Sequence, residues 1–513
     1  MLNQSGLQRA VLIAAALATA SPAILADTAS DQKAAKDAAK VAAAAAATLA
    51  EQKRHMNYWE RLDADFREQL GAPCYEPPAP AAPAGKEDKA VPPPDGCQRR
   101  GLPAPFDSPP YPDGEWQLGG SPTIGDSGIV APGPIMQAFY DGPNGDAWKA
   151  SRFQIYGWED FSGNLSTSHN DKTQSANFPE SYDLRSNRLE ENQFVLYLER
   201  TPDECQTDHI DWGFRISGVY GLDYRYMISR GFLSDQLIKD NHYYGFDMPM
   251  MYGNIYIPWV AEGMNICIGR FISLADIEAQ LAPNNLMSSH SLLYTFDPYT
   301  QWGMATTIKM NKSWTIQLGL TDGNDVAPWQ HDPGREATGT AMVQWISDNN
   351  MDSIYGGANA FNNANFGYNN IQQYVATYSH KFSEKVWTST EGWYMFQRNA
   401  TTAPTADVPY QNGAFPVSPG FVHEWAFLNY TMWRIGPGLF FTVRNEVFDD
   451  AEGNRTGYAT VYSEHSIGFT WWPDKLITIR PELRYEHSYA EQTYDNGTRK
   501  NQVTAQIDFV LHF

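Results

Sequence analysis

The chain has 513 residues, a net charge of −22, 42% hydrophobic residues and a mean hydropathy of −0.47, which excludes a bundle of membrane-spanning helices. Aromatic residues reach 13%, with 28 Tyr and 16 Trp, against only 19% charged residues, so most of the chain is not disordered, and the acidic balance excludes nucleic acid as a partner. The 40 Gly and 33 Pro set among aromatic and polar residues fit an all-β architecture of short strands better than an α/β enzyme.

Residues 1–26 read as a signal peptide: Arg9 supplies the basic end, Ala10 to Ala20 the apolar run, and Ala26 a cleavage site. That run is well short of the roughly 20 residues that cross a bilayer as a helix, so the protein is expected to be exported rather than anchored. Residues 27–72 form an Ala-rich helical segment. Leu49, Met56, Trp59, Phe66 and Leu70 fall on two neighbouring heptad positions, which suggests a coiled coil. Gln52 and Asp63 interrupt that register, and a solvated single helix fits as well. Residues 73–132 are a Pro-rich linker (EPPAPAAPAG, VPPPDG, DSPPYPDG). Cys74 and Cys97 bracket it and are the expected disulfide, while Cys205 and Cys267 are left unassigned.

Residues 133–513 repeat one pattern: a strand of about ten residues, a tight turn, another strand, then a long polar loop. The turns at Asn311-Lys312-Ser313, Ser383-Glu384-Lys385, Gly436-Pro437-Gly438 and Pro473-Asp474-Lys475 are short, whereas segments such as 399–421 and 490–500 are long. Sixteen strands are expected, from 151–161 to 501–513. The last has apolar Val503, Ala505, Ile507, Phe509, Leu511 and a terminal Phe513 on one face. An even count with alternating short and long connections closes a transmembrane antiparallel β-barrel, with the N-terminal α-helical extension on the periplasmic side.

Alternation assigns the apolar parity to lipid and its complement to the lumen. The run 210–227 puts Trp212, Phe214, Ile216, Tyr220, Leu222, Tyr224 and Tyr226 outside, with Asp211, Arg215, Asp223 and Arg225 inside. Ile477, Ile479, Leu483 and Tyr485 face lipid in the strand from 476, leaving Arg480, Glu482, Arg484 and Glu486 for the lumen. The same parity turns Glu391, Arg444, Glu446, Glu464 and Asp508 inward. These charges must be solvated or paired, since an isolated buried charge costs several kcal/mol or more. A barrel of roughly 16 strands is wide enough for an aqueous channel. Acids outnumber arginines among these positions, so a mild cation preference is expected, although ion pairs that only stiffen the wall explain most of them equally well.

The segment 273–300 is too apolar for an exposed loop tip and is expected to fold into the barrel. A short helix is expected over Asp276 to Ala282 and a turn at Pro283-Asn284-Asn285, with Leu292, Leu293 and Phe296 on the wall. Asp276, Glu278 and His290 are then the constriction-loop candidates, facing wall arginines across a transverse field. A lid or interface latch is the competing reading.

Four stretches, GFDMPMMYGNIYIPWVAEGMNICIGRFIS (245–273), DIEAQLAPNN (276–285), SHSLLYTFDPYTQWG (289–303) and IQLGLTDGNDVAPW (316–329), resemble the Putative beta-barrel porin-2 (OmpL-like) family. The likeness runs from about residue 190 to the C-terminus and implies a bacterial outer-membrane porin without implying a solute. The expected function is passive diffusion of small hydrophilic solutes or ions through a homotrimer in contact with outer-membrane lipid and lipopolysaccharide, with no cofactor, no metal and no enzymatic chemistry.

Two other classes remain open on the residues. A barrel hydrolase needs a hydroxyl, an imidazole and a carboxylate together, and His290, His423, His465 and His487 are the available imidazoles, with no nucleophile motif beside them. A structural barrel tethered to the cell wall through residues 28–70 is the other. The acidic run Asp322 to Asp325 only weakly resembles the start of a calcium loop.

Overall fold

The computed structural model describes residues 29–72, 124–125, 132–170, 175–180, 182–227, 229–233, 235–240, 242–273, 276–330, 336–349, 351–364, 370–383, 385–398 and 420–513. The expected signal peptide, the cysteines of the expected Cys74–Cys97 pair and nearly all of the Pro-rich linker lie outside them.

Among the described residues, 29–68 and 134–151 make one compact unit. Helix α1 (Ala29–His55) and helix α2 (Tyr58–Gln69) are separated at Met56-Asn57, so the expected heptad register does not run through one continuous helix. The break has a local cause in a reciprocal cap: Asn57 Oδ1 accepts from the Glu60 N–H at 3.0 Å, and Glu60 returns a carboxylate oxygen to the Asn57 N–H at 2.9 Å. The turn lets Lys53 reach Asp65 at 2.5 Å, Glu68 at 2.7 Å and Asp141 at 3.0 Å, while Trp59 is left 74% exposed. Arg61 Nε donates to the Ala138 carbonyl at 2.7 Å, which fixes the short helix Pro134–Tyr140.

The second unit is the barrel. Its strands are β1 Phe153–Ser166, β2 Leu189–Arg200, β3 Asp211–Gly221, β4 Gly245–Asp247, β5 Met251–Ile257, β6 Met264–Ile272, β7 Thr300–Lys309, β8 Trp314–Asn324, β9 Thr338–Ile346, β10 Asp352–Phe361, β11 Gln372–Ser383, β12 Val386–Arg398, β13 Phe421–Gly436, β14 Leu439–Asp450, β15 Thr460–Trp471, β16 Ile477–Ser488 and β17 Asn501–His512. Every pairing between these strands is antiparallel and, apart from β3 with β5 and β1 with β17, joins sequence neighbours; β1 pairs with both β2 and β17, which closes the sheet. The short β4 and β5 both pair with β3 along its length, so together they form one stave interrupted around Pro249, and the barrel has sixteen staves.

Alternation decides which side chain goes where. In β16, Arg480, Glu482, Arg484 and Glu486 are buried, while Leu483 and Tyr485 are 47% and 41% exposed. Pro481 lies in the same strand without an N–H to donate. The β15–β16 register steps from Gly468↔Glu482 to Trp471↔Ile479, skipping the rungs beside it.

One expected strand is shorter than its pattern. The run 210–227 leaves the sheet at Gly221, whose φ of +140° suits only a residue without a side chain, and a Cβ there would meet the Asn192 carbonyl oxygen. Residues Leu222–Tyr226 then form a 3₁₀ turn. Leu222 and Tyr224 are buried rather than lipid-facing, and Arg225 stands in this turn rather than on an inward strand face.

Candidate functional site

The inner wall and the loop between β6 and β7 form the candidate site. Among the described residues of that loop, nearly every one from Asp276 to Phe296 is buried. The expected helix over 276–282 is absent. Instead a 3₁₀ turn covers Ala282–Asn284, where Pro283 fixes the backbone, and a single helical turn covers Leu292–Thr295, capped by Ser291 Oγ accepting from the Tyr294 N–H at 3.1 Å. Leu292, Leu293 and Phe296 pack into a cluster with wall residues of β11–β15, Phe296 stacking on Phe448 at 5.6 Å.

Polar anchors hold the loop along its length. Arg480 binds Asp508 through Nε at 3.0 Å and donates through Nη1 to the carbonyls of Ala282 at 2.5 Å and Asn285 at 2.8 Å. Arg484 reaches the His290 carbonyl at 2.5 Å and Glu486 at 2.7 Å. Arg444 bridges Glu464 at 3.0 Å, Glu482 at 3.1 Å, the loop's Glu278 at 3.2 Å and the Ser289 carbonyl at 2.8 Å. The wall carboxylates accept loop amides in return: Glu482 from Ser289 at 2.9 Å, Glu446 from Leu292 at 2.8 Å and Leu293, and Glu391 from Ile277 at 2.6 Å. Glu446 thereby takes the free N–H groups at the start of the helical turn. From β2, three staves beyond β16, Gln193 donates to the Gln280 carbonyl at 2.6 Å and accepts from the Ala282 N–H at 3.1 Å.

The other expected site residues divide in two. Arg215 is buried and pairs with Glu199 at 2.6 Å, and Asp223 is buried and accepts from Gln193 at 2.7 Å. Asp211 instead closes the short β2–β3 turn, pairing with Arg200 at 3.0 Å and accepting from the Asp203 N–H at 2.7 Å. Arg225 donates to the His242 carbonyl at 2.9 Å on the long-loop side.

His290 is enclosed, its ring stacked 3.8 Å from Tyr182 with Nε2 donating to the Ala279 carbonyl at 2.7 Å. Burial pushes it down to about 3, which makes it a neutral side chain. Asp276 meets Asp297 and Glu391, and burial together with those neighbours pushes Asp276 well above the usual carboxylate range. A cavity of about 20 Å3, the size of one water molecule, is lined by Asp276, Glu278, Gln280 and Tyr294.

Sequence reasoning missed Gln193, Ser289 and Tyr430. These are neutral polar residues, which carry no charge to mark them as inward-facing. Asp325 ties the start of β7, accepting from the Thr300 N–H at 2.8 Å, so its carboxylate serves the backbone. His465 and His487 lie on the outer wall beside Asn445 and Tyr489, away from His290. Cys267 is a free buried thiol, and Cys205 is disulfide-bonded.

A family profile described as Putative beta-barrel porin-2, OmpL-like, matches residues 153–513, the whole of the barrel from β1 to the C-terminus. The chain belongs to this family. It is a porin-like outer-membrane β-barrel, and the family's members are channels rather than enzymes. No curated protein matches the chain. Among solved structures it is similar to an anion-selective porin from Comamonas acidovorans (11% identity, 70% of this chain and 99% of that one, TM-score 0.47). It is also similar to the outer membrane channel DcaP of Acinetobacter baumannii (12% identity, 70% and 97%, TM-score 0.45).

Proposed function

We propose that this porin-like barrel is a water-filled channel for passive diffusion of small hydrophilic solutes or ions, with a mild preference for cations. In this reading it works as a homotrimer in the outer membrane, with the short turns and the N-terminal helices in the periplasm. The observation that carries it is the closed sixteen-stave wall with a polar, charged inner face and a loop bound to that face by Arg444, Arg480 and Arg484. A polar inner face is stable in a membrane only beside water or fixed partners. On β14–β17 the inward acids Glu446, Glu464, Glu482, Glu486 and Asp508 outnumber the inward arginines Arg444, Arg480 and Arg484, and the cation preference rests on that excess. The constriction role of Asp276, Glu278 and His290 rests on the loop's course across the inner face.

A structural barrel tethered to the cell wall through residues 28–70 is the second reading, and the near-complete burial of Arg444, Arg484 and Glu464 favours it. Swelling of liposomes loaded with the purified protein separates the two. Influx of small sugars that falls with solute size supports the channel, and osmotic inertness of folded protein supports the structural barrel.

A further inference from the structure

The outer wall has polar residues where lipid contact calls for apolar ones. On β12–β15 the outward positions include Tyr394, Trp425, Phe427, Trp433, Phe441, Ile467 and Phe469, as a lipid face requires. A single line of cross-strand partners crosses that surface with Thr390↔Asn429, Asn429↔Asn445 and Asn445↔His465. It lies between the aromatic residues above and below, not at the rim. A polar group set against hydrocarbon without a partner costs several kcal/mol.

Local bonds satisfy part of the row. Asn429 donates to Thr388 at 3.1 Å and Thr390 at 2.8 Å, and His465 Nδ1 stands 2.8 Å from Asn445 Oδ1. The Asn445 amide nitrogen and His465 Nε2 have no partner among the described residues and face outward. Ala376 and Gly392, paired across β11 and β12 beside the row, leave the surface flat enough for a second backbone to approach.

A second departure lies on β1 and β2. Glu159 pairs across strands with Phe194 and Glu191 with Phe161, and both phenylalanines are outward and exposed, so both carboxylates share that outward face. Neither side chain has a partner among the described residues. In between, β16 and β17 turn Leu483, Val503, Ile507 and Phe509 outward.

Resting on the outer-membrane reading above, we propose that the row Thr390, Asn429, Asn445 and His465 is the surface on which a second copy of this chain packs within the membrane, through Glu159 and Glu191 of that copy. The Asn445 amide donor on one face complements carboxylate acceptors on the other. Two unlike faces on one chain make a head-to-tail contact, which forms a ring when the rotation between copies closes.

The test uses the full mature chain in lipid nanodiscs, with its mass read by native mass spectrometry and its folding by heat-dependent gel mobility. Wild type is expected to be an oligomer, and the triple variant N429V/N445V/H465L and the pair E159Q/E191Q are each expected to associate roughly tenfold more weakly. Cysteines placed together at Asn445 and Glu191 are expected to link neighbouring chains on oxidation, which covers the case of a triple variant that does not fold. A monomeric wild type, a row covered by lipopolysaccharide alone, or folded variants that stay oligomeric with no link between those cysteines overturns the proposal. Single-molecule current on the same samples separates the readings, since loss of current in intact oligomers counts against the channel and leaves the interface standing.

Discussion

Arg444 Nη1 lies 3.2 Å from Glu278 Oε1, an ion pair between β14 and the infolded loop, with Tyr430, Glu464, Glu482 and Ser289 completing the shell of the guanidinium. The loop is therefore bound to the wall by charge as well as by the apolar contacts of Leu292, Leu293 and Phe296. Replacing Arg444 with Ala leaves three buried carboxylates without their cation, and a loss of about 3–5 kcal/mol is expected. Urea-induced unfolding of the refolded barrel measures this, together with faster proteolysis within 273–300. An unchanged midpoint and an unchanged cleavage rate would show that the apolar contacts alone hold the loop.

The enclosed His290 has a definite pH signature. Its folded pKa of about 3 lies below the unfolded value near 6.5, so between these two the unfolded chain binds the extra proton. Its contribution to stability is therefore complete above pH 6.5 and lost progressively as pH falls toward 3. His290→Gln, which retains a donor for the Ala279 carbonyl, is expected to lose less stability than wild type between pH 7 and pH 4, by a few kcal/mol. Equal losses in the two proteins would place His290 in contact with water.

The cysteines make a covalent prediction. Cys205 is disulfide-bonded and Cys267 is free, so in a chain with four cysteines the partner of Cys205 is expected to be Cys74 or Cys97. Peptide mapping of alkylated, nonreduced protein is expected to recover Cys205 joined to a peptide from 73–100 and to exclude a Cys74–Cys97 bridge. Recovery of Cys74 joined to Cys97 would contradict it.

The barrel was legible in the sequence because lipid on one side and polar groups on the other enforce a two-residue period. β16 and β17 show that period with few interruptions, and the expected sixteen strands match sixteen staves. The period failed at 222–226, where Tyr224 and Tyr226 continue the alternation while Gly221 turns the backbone out of the sheet. Sequence spacing had no means of pairing Glu446 with Leu292 or Gln193 with Ala282, since these bonds join residues 154 and 89 positions apart. The helix expected over 276–282 lost to such tertiary bonds, with the Ile277 amide going to Glu391 and the Ala279 amide to Asn285.

The most direct test of the central claim is ion current through single molecules of the purified mature protein in a planar bilayer, with the reversal potential read in a salt gradient. Stable conductance steps and a reversal potential displaced slightly toward cations are predicted, and R444A is expected to raise the current noise by freeing the loop. Electrical silence from protein shown to be folded, or a clear anion preference, would contradict the account.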